Sequence, residues 1–543
     1  MVSTPVKSST DGLKTRSSAR KKTTSSTSAT ELASHLADEY SATSTPTRRS
    51  ARLNPSSKIF TPNGHSPAAT DKHEVESSND MSGSNNHVSD AVLTNRKKDS
   101  AFDQKIIVEF GGTPGVIGIM LGFTALMYYF WICLEYYNGA MAHPSSLDDI
   151  VPFLQRMGHH VVKGAPPTVF SVSVYVGYIL FSAFLSMTMP GPIVKGLPVP
   201  SLGYKQLDYL CNGVSSFYVT LVTSAVLHYY RILPLGSIID NIGSIMTVAI
   251  ISGWTASLLI YISAFVTKTT HRMSGNPFYD FFMGAVLNPR IGNLDLKMWA
   301  EIRVPWIILF YVSVSAAVKH YEETGVVGPN LWFMVLAHFL YVNACMKGEE
   351  CIPTTWDIFY EKFGFMLCFW NLAGVPFSYC YSTMYLLKTT PGQNLSWSTP
   401  YLIFVYTLLV SGYYMWDTAN SQKNRFRMQI AGTYIPRWTF PQLPWGTLVN
   451  PTYIKTKHGS LLLTSGWYGI ARKIHYTADL MMALSWGLIT GFGSFLPYFY
   501  VCFFTTVLVH RVTRDMERCA KKYGQDWEDY TTLVPWIFIP GIF

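Results

Sequence analysis

The sequence predicts an all-α polytopic membrane protein with a cytosol-facing pocket in its C-terminal half. Three observations carry this. Of 543 residues, 48% are hydrophobic and only 14% charged, where a soluble domain carries nearer a quarter charged residues. The apolar residues come in blocks of about 20, the length that crosses a bilayer as a helix. Cations and aromatics crowd the last third, from 411 to 543.

Taken in order, residues 1–104 are rich in Ser, Thr, Asn and charge and poor in large apolar groups. Such a segment buries too little surface to offset its chain entropy and reads as a disordered cytosolic tail. No apolar core of a signal peptide follows the start. From 105 to 543 the chain reads as one transmembrane domain. Spans are expected near 114–137, 167–190, 212–233, 243–267, 303–319, 330–346, 363–387 and 400–416. A stretch from 480 to 509 is too long for one span and short for two. Gly491, Gly493 and Pro497 at its middle predict a helical hairpin or a broken helix. Counted as two, it gives about ten helices. The basic tail, the loop 268–302, the segment 418–478 and the C-terminal end then fall on one side, which the positive-inside rule makes cytosolic for both termini.

The net charge of +9 is explained by that bias, and no nucleic-acid partner is expected. Eight cysteines are scattered singly without a CxxC, which argues against a disulfide framework and a thiolate metal site. His159 and His160 read as a solvated loop pair, without the clustered histidines of a di-iron site. No metal is expected. No internal repeat supports a two-fold transporter.

Several constellations carry candidate chemistry. Lys423 and Arg427, four apart, share a helix face where an apolar span ends; they suit a phosphate or simple snorkelling. Residues 461–487 crowd Trp467, Tyr468, Arg472, Lys473, His475, Tyr476 and Asp479 at the start of an apolar run, as an interfacial belt or a nucleotide site does. In "HRVTRDMERCAKKYGQDWEDY" (510–530), Arg511, Asp515 and Cys519 share one helix face, with Lys522 and Tyr523 near it. Cations, aromatics and one or two carboxylates suit a phosphorylated nucleotide, although no Rossmann or P-loop fingerprint is present. The loop 275–306 offers Asp280, Asp295 and Glu301, and reads mostly as structural. "KGEECIPTTWD" (347–357) sets Glu349, Glu350 and Asp357 beside spans, where a buried carboxyl can donate a proton.

"GNPFYDFFMGAVLNPRIG" (275–292) and "ARKIHYTADLMMALSWGL" (471–488) resemble the two signatures of the sterol reductase family. That family includes sterol C-14 reductases, 7-dehydrocholesterol reductase, the lamin B receptor and fungal C-24(28) sterol reductases. The resemblance runs from about 105 to the C-terminus. "EFGGTPGVIG", "KGEECIPTTWD", "FGFMLCFWNLAGVPFSYCYSTMYL" and "DTANSQKNRFR" look like the fungal C-24(28) branch. The resemblance implies a ten-span bundle in the endoplasmic reticulum membrane and NADPH as cofactor. It implies reduction of the side-chain methylene of ergosta-5,7,22,24(28)-tetraenol to ergosterol, with other ergosterol-pathway enzymes as neighbours.

By that resemblance Lys423 and Arg427 match the family's cationic pair, and Leu463 and Tyr468 match an apolar and an aromatic contact. His475 and Tyr476 match a pair often written Asn-Tyr. Asp515, the run Cys519, Ala520, Lys521, Lys522 and Tyr523, and Tyr530 complete the cofactor set, with Arg511 beside them. Tyr468, commonly Trp in relatives, and His475 depart from the pattern. Chemically, protonating the terminal methylene first makes a tertiary cation at C24 that hydride quenches. Glu350, Asp357 and Tyr379 are candidate donors, with Asp515 a further one, and the sterol arrives from the membrane lipid. Reduction at C-14 or C-7, a non-enzymatic nuclear-envelope tether and methyl transfer remain as alternatives.

Overall fold

The computed structural model describes residues 106, 108–430, 432, 434, 442–457 and 461–542, so the predicted N-terminal tail lies outside the described residues. The chain is mostly helical. It begins with α1 (Gly112–Tyr136), α2 (Ile150–Gly164) and α3 (Val169–Thr188). A capping box opens α3, with Thr168 and Ser171 exchanging side-chain to backbone hydrogen bonds. His159 and His160 lie on α2 rather than in a loop, and His160 stacks on Tyr136 with centroids 4.2 Å apart. An antiparallel hairpin of β1 (Ile193–Val199) and β2 (Lys205–Leu210) leads into α4 (Gly213–Tyr229), α5 (Gly236–Asp240) and α6 (Ile242–Val266).

The loop 268–302 is ordered by its own acids. Asn276 caps α7 (Pro277–Met283) through the Tyr279 amide, with Pro277 at the first helical position. After the short hairpin β3 (Arg290–Ile291) and β4 (Leu294–Asp295), Asp295 caps α8 (Leu296–Ile302) and pairs with Arg290 at 3.1 Å. Asp280 accepts from the amides of Ser274 and Gly275. Both acids therefore hold backbone, as their loop position suggested. Next come α9 (Val304–Thr324) and α10 (Pro329–Lys347). At the start of α9 the Arg303 guanidinium is buried and pairs with Glu349 at 2.6 Å, while Glu349 also accepts from the Gly213 amide. Glu349 thus ties three segments together.

The expected span 363–387 is broken. After α11 (Trp356–Phe359), the chain runs through α12 (Phe365–Phe369), a π-helical turn at Trp370–Gly374, α13 (Val375–Ser378) and α14 (Tyr381–Lys388). Pro376 removes an amide from the ladder, and the widened turn absorbs the mismatch. Short α15 (Thr390–Gln393) precedes α16 (Thr399–Ile430), which continues 14 residues past the apolar span expected to end at 416. Asp417 is buried there in an ion pair with Lys347 of α10. A third hairpin, β5 (Tyr453–Lys455) with β6 (Leu461–Leu463), precedes α17 (Ile474–Leu488), α18 (Phe499–Tyr523) and α19 (Gln525–Leu533). The break predicted inside 480–509 falls at 489–498, with Gly491 at φ +70°.

Four stretches among the described residues are long and apolar enough to cross a membrane: Gly112–Tyr136, Val169–Thr188, Ile242–Val266 and Leu296–Thr324. The other predicted spans do not meet that length and composition. The main core is rich in aromatics, including Phe130, Phe365, Tyr379, Tyr381, Trp486 and Tyr500.

Because Arg303 has no exposure to fall back on, Glu349→Ala leaves a buried, unpaired guanidinium and costs about 3–5 kcal/mol. Thermal unfolding in detergent reads this as a lowered midpoint, and Arg303→Met combined with Glu349→Leu recovers most of it.

Candidate functional site

The site grows from the polar extension of α16. Its face carries Thr418, Gln422, Lys423 and Arg427. Gln422 accepts from the Trp467 amide at 3.0 Å and donates to the Trp445 carbonyl at 2.8 Å, and the Trp467 indole donates to Thr418 at 2.8 Å. These bonds lay the turn Gly466–Gly469 against the helix. Gly466 is needed there twice over: its φ is +62°, and a Cβ would stand 2.3 Å from the Gln422 oxygen. The turn buries Tyr468 with Leu463, Phe426, Ala419 and Ile474. The Lys423 ammonium then lies 5.5 Å from the Tyr468 ring centroid.

Among the described residues no carboxylate forms an ion pair with Lys423 or Arg427. Burial, followed by the nearby Arg427 and Lys473, pushes the Lys423 ammonium down to about 7. Opposite stands α18. There Asp515 is ion-paired with Lys473 and with Arg518, the latter at 3.0 Å. Burial alone raises the Asp515 carboxyl, but Lys473, Arg518 and Lys423 outweigh it and hold it below its ordinary range. His475 sits between the two elements: its Nδ1 is 3.4 Å from the Tyr468 hydroxyl, and its ring centroid is 4.2 Å from that of Tyr476. Burial and then Lys423, Lys473 and Arg511 keep this imidazole neutral.

The C-terminal segment closes the floor. Arg472 donates to the Val534 carbonyl at 2.9 Å, and the Lys473 amide donates to the Ile537 carbonyl. Tyr530 and Trp527 on α19 pack with Cys519 and Tyr523 against Ile454 and Leu462 of the hairpin. Burial raises the Cys519 thiol to about 11, so it is not a thiolate nucleophile. Lys522 lies 4.9 Å from the Tyr523 centroid, while Arg511, Ala520 and Lys521 are exposed. The structure thus gathers Lys423, Arg427, Leu463, Tyr468, His475, Tyr476, Asp515, Cys519, Lys522, Tyr523 and Tyr530 around one polar region; Lys521 points out of it.

The acid candidates are more dispersed. Glu350 is half-buried on the turn Glu349–Thr354, beside the residue that holds Arg303. Asp357 is half-buried and lies near Lys297 and Glu301. Tyr379 is buried, 4.2 Å from the Tyr500 centroid. Sequence reasoning did not find Lys473 as the partner of Asp515, nor the aromatic walls Trp306, Tyr341, Trp486 and Tyr500. The signal for Lys473 lay in its separation from Asp515 across two helices, which no local spacing reports.

Lys423 and Arg427, with no ion-pair partner among the described residues, offer the donors that a phosphate-bearing dinucleotide needs, and the phosphate would draw the proton back onto Lys423, so the residues fit such a cofactor. Folded, Lys423 loses its proton near pH 7, against an ordinary value of 10.5. The unfolded chain therefore binds more protons between these values, and stability rises with pH across that window. Lys423→Met is expected to raise the melting midpoint at pH 7 by about 2 °C. The wild-type chain should close the gap as the pH approaches 10, which a thermal-unfolding series measures.

Residues 104–543 match the "Ergosterol biosynthesis ERG4/ERG24 family". The chain is 48% identical over 446 residues to the "Delta(24(24(1)))-sterol reductase erg4A" of Aspergillus fumigatus, covering 82% of this chain and 94% of that one. It is 46% identical to the "Delta(24(24(1)))-sterol reductase" of Gibberella zeae, with 82% and 74% covered. It is 37% identical to the "Delta(14)-sterol reductase" of Methylotuvimicrobium alcaliphilum, with 82% and 99% covered. With a fold of apolar helices and a cationic region at the end of one of them, the chain belongs to the ERG4/ERG24 family of sterol reductases.

Proposed function

We propose that this protein reduces the C24(28) double bond of ergosta-5,7,22,24(28)-tetraenol to ergosterol, with NADPH as reductant. The bond numbered 24(24(1)) in the names of the relatives at 48% and 46% identity is this side-chain methylene. The observation that carries the cofactor reading is the pair Lys423 and Arg427, aligned on α16 without ion-pair partners among the described residues. They would hold phosphate, with Tyr468, His475 and Tyr476 beside them and Asp515, Cys519 to Tyr523 and Tyr530 opposite. NADPH, when bound, supplies hydride. The chain's own part is to bind it, exclude water and deliver a proton, for which Glu350, Asp357 and Tyr379 were the sequence candidates.

A lipid substrate agrees with a cavity of about 500 Å³ walled by Tyr175, Tyr178, Ile308, Tyr311 and Phe377. Ile308 and Phe377 lie two residues from Trp306 and Tyr379. The location that follows is the endoplasmic reticulum membrane, with about ten spans and both termini in the cytosol.

Expression in cells lacking C24(28) reduction, with sterols read by mass spectrometry, tests this. The 24(28)-methylene sterol should disappear in microsomes only when NADPH is added. Lys423→Ala and Arg427→Ala should each cut turnover at low NADPH by tenfold or more, in line with a loss of charge-assisted hydrogen bonds of about 1.5–3 kcal/mol. Loss of a C-14 or C-7 alkene instead would keep the family and move the reaction. No sterol change in folded protein would leave a tether.

A further inference from the structure

Five aromatic rings in the core form a closed circuit. Trp306 lies 4.5 Å from Tyr341 and 6.4 Å from Tyr379, centroid to centroid. Tyr379 lies 4.2 Å from Tyr500, Tyr500 lies 4.9 Å from Trp486, and Trp486 lies 6.0 Å from Tyr341. The rings come from five separate parts of the fold: α9, α10, the turn after α13, α17 and α18. Local packing of one helix on another does not produce this. Three of the rings are buried, whereas Trp306 and Tyr341 are only half-covered. The Trp486 indole nitrogen is buried with no hydrogen-bond partner among the described residues.

Asp479 stands at the edge of this circuit. Its Oδ1 is buried and has no hydrogen-bond partner among the described residues. The carboxyl lies near the Trp416 indole and near Tyr341, Tyr500 and Cys345. Trp416 in turn stacks on Tyr341 at 6.5 Å. The helix α17 links the circuit to the cationic region along a single face. His475, Asp479 and Trp486 follow one another at i, i+4 and i+11. That places the carboxyl about 6 Å along the helix from the imidazole and about 10 Å from the indole. Burying a carboxylic acid unpaired is costly in its ionised form, and here burial raises the Asp479 carboxyl to about 7. A neutral acid beside these aromatic rings is set up to give a proton and leave a cation next to them.

We propose that Asp479 is the proton donor of the reduction and that Trp306, Tyr341, Tyr379, Trp486 and Tyr500 form a cage that stabilises the resulting carbocation. The inference rests on the reductase reading above. The Asp479 O–H bond breaks and its proton forms a C–H bond at the terminal methylene carbon, drawing on the alkene π pair. C24 is left as a tertiary cation, allylic through the C22 double bond and within reach of the ring faces by cation–π attraction. The dinucleotide, when bound, would supply the hydride that forms the C24–H bond, and the Asp479 carboxylate regains its proton from water. Tyr379, a sequence candidate for the donor, becomes a wall of the cage. A phenol is a far weaker acid than a carboxyl. Asp357 lies with Lys297 and Glu301.

The test uses the full chain in detergent and two sterol probes. One carries a quaternary ammonium at the C24 position, the other a neutral quaternary carbon of the same shape. Binding is read by tryptophan fluorescence without cofactor. The ammonium probe should bind about tenfold tighter or more. Tyr500→Phe should keep that preference, while Tyr500→Leu and Tyr379→Leu should cut it below about threefold and leave the neutral probe within about twofold. Asp479→Asn should still prefer the ammonium probe and still bind NADPH, yet lose turnover about 100-fold or more. Equal affinity of the two probes for the wild-type chain would overturn the cage. Turnover of Asp479→Asn within tenfold of wild type would overturn the donor. If NADPH fails to bind any variant, the cofactor reading fails instead, and the probe comparison remains decisive for the cage.

Discussion

An ammonium group held next to a guanidinium, with no ion-paired carboxylate on either among the described residues, is the constraint on which the C-terminal third depends. Like charges four residues apart on a helix repel, and burial sharpens the conflict at Lys423. The surrounding chain is arranged to keep the tension. Gln422 fastens the turn that buries Tyr468, and the Lys347–Asp417 pair pins α16 to α10 one turn and a half earlier. Asp515, the acid that faces Lys423, is taken by Lys473 and Arg518. An anion from outside the chain would resolve the conflict, as the proposed binding of a phosphate-bearing cofactor requires.

The same region is coupled to the core through one helix. His475 belongs to the cationic end of α17 and Trp486 to the aromatic interior, with Asp479 between them. The break in the segment 363–387 serves this geometry. A continuous helix from 363 would carry Tyr379 along a straight axis, whereas the π-helical turn and Pro376 swing it towards Tyr500 and Trp306. The π-helical turn is itself enclosed by protein, with Asn371, Leu372, Ala373 and Gly374 buried.

Much of the site was legible in the sequence because charge is rare in apolar chain. Lys423 and Arg427 stood out at the end of a span, and "ARKIHYTADL" drew together Lys473, His475 and Asp479 by simple crowding. The long apolar helices were legible from composition. Less legible were features made by distant pairs. The buried Arg303–Glu349 pair joins residues 46 apart in sequence, and Glu349 read as part of a short loop beside a span. Tyr341, Trp306 and Tyr500 looked like ordinary core, since an aromatic residue in a span carries no local mark of the ring it will face. The helical spacing of Lys423 and Arg427 was legible after the apolar span ended at 416, but not how far α16 runs, to Ile430. Its helix is held by tertiary contacts to Trp445 and Trp467 rather than by an apolar stripe.

The most direct measurement is calorimetric titration of NADPH into the purified chain at pH 8 in buffers of different ionisation enthalpy. Near that pH Lys423 is largely neutral, and a phosphate beside it must draw a proton onto the ammonium. Binding should therefore take up close to one proton, and Lys423→Met should abolish the uptake. Tight binding with no proton exchange in the wild-type chain would contradict the role assigned to Lys423 and place the phosphate elsewhere.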